Sequence, residues 1–223
     1  MKRPGKLRTA RGVASPLALP LALLMTLLSQ SLAGPAAAMD QPAARAHMQA
    51  SGIAIVPESL VQYAALGDTA TVNMLLDAGV DVNDADSVRQ VSALHNAAAQ
   101  GHLRLAARLL ELGARVDAQD WYGVTPLVAA AAGGHLKLLE LLLAKGSAVN
   151  VVPHKAPTAL ICAIEHGELA LVEALLKAGA RPDLADAFGR TPLAAAALAG
   201  QGVIATRIET ALAGPALAMT GNK

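Results

Sequence analysis

Aromatic residues are scarce in this sequence: of 223 residues only Tyr63, Trp121, Tyr122 and Phe188 carry a benzenoid or indole ring. A core built around large rings is therefore excluded. Cysteine is rarer still, and the single Cys162 excludes an internal disulfide framework and any cysteine-based zinc site. The phosphate-cradling patterns G-x-G-x-x-G and G-x-x-x-x-G-K-[ST] and the nucleophile elbow G-x-S-x-G are all absent. The six histidines are scattered, with no pair at the i, i+4 spacing of a helical metal site, so no metal and no cofactor is expected.

What is present is apolar and small. The chain is 54% hydrophobic and 16% charged, which argues against disorder. Most of that apolar content is Ala and Leu, both strong helix formers. A mainly helical protein with closely stacked helices follows.

Residues 1–38 differ from the remainder. Lys2, Arg3, Lys6, Arg8 and Arg11 come with no acid, then the run Leu17 to Leu28, then small residues up to Ala38. This is the n-region, h-region and A-x-A pattern of a secretory signal peptide. Cleavage is expected after Ala38, with Ala33 as the second candidate. The run is shorter than the roughly 17 to 25 residues of a spanning helix. Five of the 18 basic residues lie in this segment, which leaves 13 against 17 acidic residues, or −4 for the mature chain. No basic patch for a nucleic acid remains, and no Lys/Arg-rich amphipathic helix for a membrane surface.

A period runs through the rest. Gly67, Gly101, Gly134, Gly167 and Gly200 are spaced by 34, 33, 33 and 33 residues. Leucine pairs at Leu75-Leu76, Leu109-Leu110, Leu142-Leu143 and Leu175-Leu176 keep the same step, as do Gly79, Gly113, Gly146 and Gly179. Thr125 and Thr191 stand where a helix N-cap is wanted, each followed by proline at the first helical position. Ala97, Ala130, Ala163 and Ala196 recur at one place in the first helix of each unit, where small side chains permit close helix approach. The units are 53–86, 87–119, 120–152, 153–185 and 186–213, flanked by an expected flexible leader at 39–52 and a flexible tail at 214–223. The first and last are irregular, as capping repeats are.

"DWYGVTPL" from Asp120 and "DAFGRTPL" from Asp186, the paired alanines, the G-H steps and the leucine pairs together resemble the ankyrin repeat, over about residues 53–213. The resemblance implies an all-α solenoid of about five helix-turn-helix units with short hairpin-like tips. "SALH" and "TALI" replace the family's T-P-L-H in the second and fourth units, so only His95 occupies the position of the histidine that tethers adjacent turns. The Ser87 and Pro153 turns are expected to be the looser ones.

The resemblance also implies a function, since in such solenoids the tips and the exposed side of the first helices line a concave binding surface. Carried over by position, that surface includes Arg89, Trp121, Tyr122, His154, Lys155, Phe188 and Arg190. Trp, Tyr and Arg dominate binding hot spots. The expected protein is a non-catalytic, monomeric binder of another protein, periplasmic or secreted, with no nucleic-acid partner and no stable membrane association after leader cleavage. Small exported ankyrin proteins include some associated with oxidative-stress defence and others acting as immunity proteins. Two readings stand beside this one: an enzyme using Cys162, for which a buried packing position beside Ala163 is the plainer account, and a scaffold tethered by an uncleaved leader.

Overall fold

The computed structural model describes residues 40–213. The expected signal peptide, 1–38, and the expected flexible tail, 214–223, lie outside the described residues. Eleven helices follow one another: α1 (Gln41–Ala50), α2 (Pro57–Leu66), α3 (Thr69–Asp77), α4 (Ala93–Ala99), α5 (Leu103–Glu111), α6 (Pro126–Ala132), α7 (Leu136–Ala144), α8 (Ala159–His166), α9 (Leu169–Lys177), α10 (Pro192–Leu198) and α11 (Gly202–Ala213). Among the described residues the only β pairing is the isolated bridge Ala85 to Ser92, so one tip alone has a hairpin's bridge.

From α2 onward the helices pair as α2/α3, α4/α5, α6/α7, α8/α9 and α10/α11, and the first helices α2, α4, α6, α8 and α10 pack in one succession. The cause is visible in the sequence. Ala97, Ala130, Ala163 and Ala196 are fully buried where successive first helices meet. In the second helices Leu75, Leu109, Leu142 and Leu175 are fully buried, while the second leucine of each pair is only partly covered. Each first helix from α4 onward starts on a hydroxyl: Ser92, Thr125, Thr158 and Thr191 accept from the amides of His95, Val128, Ile161 and Ala194. The cap therefore survives where proline is missing.

Residues 39–52 were expected to be a flexible leader, and the structure corrects this for its greater part. Asp40 caps α1 through the Ala43 amide, and Ala44 and Met48 are fully buried. The Arg45 Nε donates to the Ala78 carbonyl at the end of α3, at 2.8 Å. The helix closes as later second helices do, Ile53 N to Met48 O matching Val80 N to Leu75 O. α1 packs on α3, so among the described residues it takes the place of a second helix in the row. At the opposite end, Ala194, Ala197 and Glu209 are exposed. In the preceding unit the equivalents of the two alanines, Ile161 and Ile164, are fully buried. Smaller or charged side chains thus stand at these positions of the last unit, although Leu198 and Val203 of the same unit are exposed.

The tips are built by carboxylates. The Asp120 Oδ1 accepts from the Tyr122 and Val124 amides, both at 2.8 Å. Asp186 holds the Phe188 and Arg190 amides, both at 2.9 Å. In the second unit this role falls to Asp86, one residue before the Ser87 start read from the spacing, and it holds the Val88, Arg89 and Val91 amides. That tip has one extra residue, which is why the first glycine spacing is 34. It is not short of bonds, against the expectation of a loose turn. The fourth tip has Pro153 in place of the aspartate and leans on its neighbour through Lys155 N to Tyr122 O.

The extra residue leaves a strained position. Before the last stapled amide, the third tip has Gly123 at φ 78° and the second tip has Gln90 at φ 57°, the described chain's one non-glycine residue with positive φ. A side chain there costs about 1 to 2 kcal/mol, partly offset by the freedom glycine gives the unfolded chain. Gln90→Gly is therefore expected to stabilise the protein by about 0.5 to 1 kcal/mol, read from urea unfolding.

Candidate protein-binding surface

Because the tip amides are satisfied by Asp86, Asp120 and Asp186, the intervening side chains have no packing duty and project. Trp121 is 61% exposed, Tyr122 42%, Phe188 62% and Val88 68%. Arg89, His154 and Lys155 are exposed too. Adjacent tips are joined by backbone, Trp121 N donating to Arg89 O at 2.9 Å. This brings Val88, Arg89, Trp121, Tyr122 and Lys155 around one shallow depression of about 270 Å³.

The remaining sequence-derived positions lie outside that depression. His154 sits beside Gly123. Phe188 and Arg190 are on the fifth tip, and Arg190 is not a free cation. Its guanidinium pairs with Asp186 and with Glu165 of the preceding unit and stands 5.7 Å from the Phe188 ring centroid. The Asp186 side chain is fully buried. Arg190 thus cross-braces two units, a role that its exposed position in the pattern did not reveal. A second depression, about 380 Å³, lies towards the N-terminal end, with Glu58, Gln62 and Asn96 joining Val88 and Arg89. Glu58 and Gln62 belong to the first unit, which lacks a regular tip from which to count, and Asn96 lies in the first helix of the second unit, away from its tip.

Polar ladders hold the row. His95 is buried; its Nδ1 meets the Ser92 hydroxyl at 2.8 Å and its Nε2 the Val124 carbonyl of the next tip at 3.0 Å. At the positions of His95, Val128 and Ile161 are buried in the next two units, so the histidine tether is made once among the described residues. Two other histidines do more than begin a helix. His102 Nε2 meets Ala65 O and His135 Nε2 meets Ala99 O, each at 3.0 Å across units. A Cβ at Gly101 would collide with the His135 ring, which accounts for the G-H recurrence. Asn83, Asp117 and Asn150 form another ladder, accepting from the amides of Arg115, Ala148 and Arg181. Their spacing of 34 and 33 residues was available in the sequence and was not used.

Cys162 lies within α8 and is 7% exposed. Burial, reinforced by the Glu165 carboxylate, pushes its thiol up to about 12. A nucleophile must be a thiolate, and at neutral pH this group is not one. His166 instead faces Glu168 at 3.7 Å and lies against Gly134.

Paired helices stacked in one row with projecting tips define a helical solenoid with an open interaction surface. Family models for ankyrin repeats match residues 60–153, as three copies, and 158–187, as one further repeat, together more than half of the 223 residues. The chain belongs to the ankyrin repeat family. The matches leave out α1 at one end and α10 and α11 at the other. No curated protein matches the chain. Ankyrin repeats generally mediate protein–protein interaction.

Two measurements follow from the buried groups. Alkylation at neutral pH should leave Cys162 unlabelled in the native protein and label it on unfolding; rapid native labelling would contradict its burial. For His95, burial holds the imidazole below its ordinary value, so as pH falls below about 6.5 the unfolded chain takes up a proton that the folded chain refuses. Stability from this site is fully present above that pH and is lost progressively as pH falls below it. The thermal midpoint should drop as pH is lowered through that range, and drop less in His95→Gln.

Proposed function

We propose that this chain is an exported, non-catalytic binding protein that holds another protein on its tips and the adjoining concave face. The observation that carries the reading is the exposure of Val88, Trp121 and Tyr122 around one depression, in a chain with only four aromatic residues. Rigid aromatics offer much contact area at small entropic cost. His154, Phe188 and Arg190 flank that centre, Arg190 through a surface it shares with Glu165. The Cys162 thiol supports the non-catalytic part, since it is neutral at working pH. Among the described residues no group of three or more His, Cys, Asp or Glu is placed to hold a metal ion, and none of the helices is long and apolar enough to cross a membrane.

The export half of the proposal rests on the n-region, h-region and A-x-A pattern before Met39, and puts the mature monomer in the periplasm or outside the cell. Small exported ankyrin proteins serve oxidative-stress defence or toxin immunity, roles that a grasping surface performs without chemistry. N-terminal sequencing of the exported protein should begin at Met39, or at Gly34 for the earlier site; an intact N-terminus would make the leader an anchor. For the surface, Trp121→Ala with Tyr122→Ala should abolish co-purification of the partner while leaving the helical circular dichroism unchanged. A partner retained in full by the folded double variant means that another face binds.

A further inference from the structure

The charges around the depression are not equivalent. Asp86 and Glu58 are acidic neighbours of it, yet their oxygens are already engaged: Asp86 takes the amides of Val88, Arg89 and Val91, and Glu58 takes the Ser87 amide. Both carboxyls are held below their usual range: Glu58 by its own amide and by Ser87, and Asp86, against its burial, by the amides of Arg89, Val91 and Val88 with a smaller attraction from the Arg89 charge, which makes no ion pair with it. Arg89 and Lys155 are in the opposite condition. Both are exposed beside Trp121 and Tyr122, and among the described residues neither forms an ion pair. Arg181 and Arg190, by contrast, are each held by a carboxylate of the chain itself. So Asp86 has both oxygens engaged by tip amides and Glu58 one, while the side chains of Arg89 and Lys155 donate to no group among the described residues.

We infer that the occupant of this depression is an acidic segment of a partner protein, an apolar side chain seated on Trp121 and Tyr122 with carboxylates on either side reaching Arg89 and Lys155. This rests on the reading of the tips as the binding face and adds the chemistry of what they hold. The guanidinium of Arg89 presents paired donors that match a carboxylate. Lys155, on the next tip but one, supplies a point charge across the aromatic pair. Two like charges on either side of an apolar seat select a segment with acid, apolar and acid in sequence, and disfavour a basic one by direct repulsion. With the leader removed the chain carries −4, which opposes a general attraction to acidic partners and makes the preference a local one.

A random-peptide display library selected on the full mature protein tests this. The peptides that survive competition are expected to carry Asp or Glu on both sides of an aliphatic or aromatic residue, and to bind less well as salt is raised. Synthesised individually, they should change the emission of Trp121, the chain's only tryptophan. Arg89→Gln with Lys155→Gln should weaken them at least about tenfold, the effect of losing one charged hydrogen bond, and Arg181→Gln should leave them unchanged. Selected peptides of neutral or basic character that shift Trp121 emission would overturn the acidic occupant and leave the binding face standing. Peptides that bind the Trp121→Ala, Tyr122→Ala variant as well as the parent would overturn the face itself, and the acidic occupant with it.

Discussion

The structure depends on close contact between successive first helices at a column of fully buried alanines, Ala97, Ala130, Ala163 and Ala196. A helix pair of this length cannot cover its own apolar side, so each unit is stable only against its neighbours. Small residues in that column let the helices approach, and the leucines behind them fill what remains. The row grows in one direction and must be stopped at both ends. At the start, α1 lays Ala44 and Met48 against α3. At the finish, exposed alanines and Glu209 replace the bulky residues of the preceding unit.

The same economy explains why a surface is available. Backbone amides in a tip must find acceptors, and here Asp86, Asp120 and Asp186 provide them from within the tip. Asn83, Asp117 and Asn150 satisfy the amides between units. With its polar groups paired by these few short side chains, a tip needs nothing from the residues between, and these can be chosen for contact. Where the aspartate is missing, at Pro153, the tip instead takes support from Tyr122 O. Structural and contacting residues are therefore interleaved, often one position apart.

The repeat was legible because its marks are local: glycines after helices, hydroxyls before them, leucine pairs within them, each forced by backbone geometry or burial. α1 was missed because it has none of the period. Its own signals were nevertheless present, an Asp40 cap with proline in the first turn, Ala44 and Met48 at i, i+4, and Gly52 as a stop. The site was legible by position only. Counting from the first residue of each unit placed Trp121, Tyr122 and Lys155 on the exposed side, where they lie, but one inserted residue moved the second unit's acid to Asp86. The fate of Arg190 depends on Glu165, 25 residues away, and a one-dimensional pattern does not say which exposed charges meet.

That meeting gives the surface a direction. At the fifth tip, Arg190 draws Glu165 and Asp186 together and stands over Phe188, so cation, acids and ring satisfy one another. On the second and fourth tips the cations Arg89 and Lys155 have no such ion-pair partners among the described residues. A charge already paired gains little by exchanging one carboxylate for another, because the lost bond cancels the new one. An unpaired charge gains the whole difference between a carboxylate and water. The driving force for recognising a charged partner is thus concentrated at one end of the row, while the fifth tip contributes chiefly shape. The fifth tip and the row that Arg89, Trp121 and Tyr122 form across the second and third tips both combine an aromatic with an arginine, yet differ in what they can bind, because Arg190, unlike Arg89, has its carboxylates, Glu165 and Asp186, within the chain.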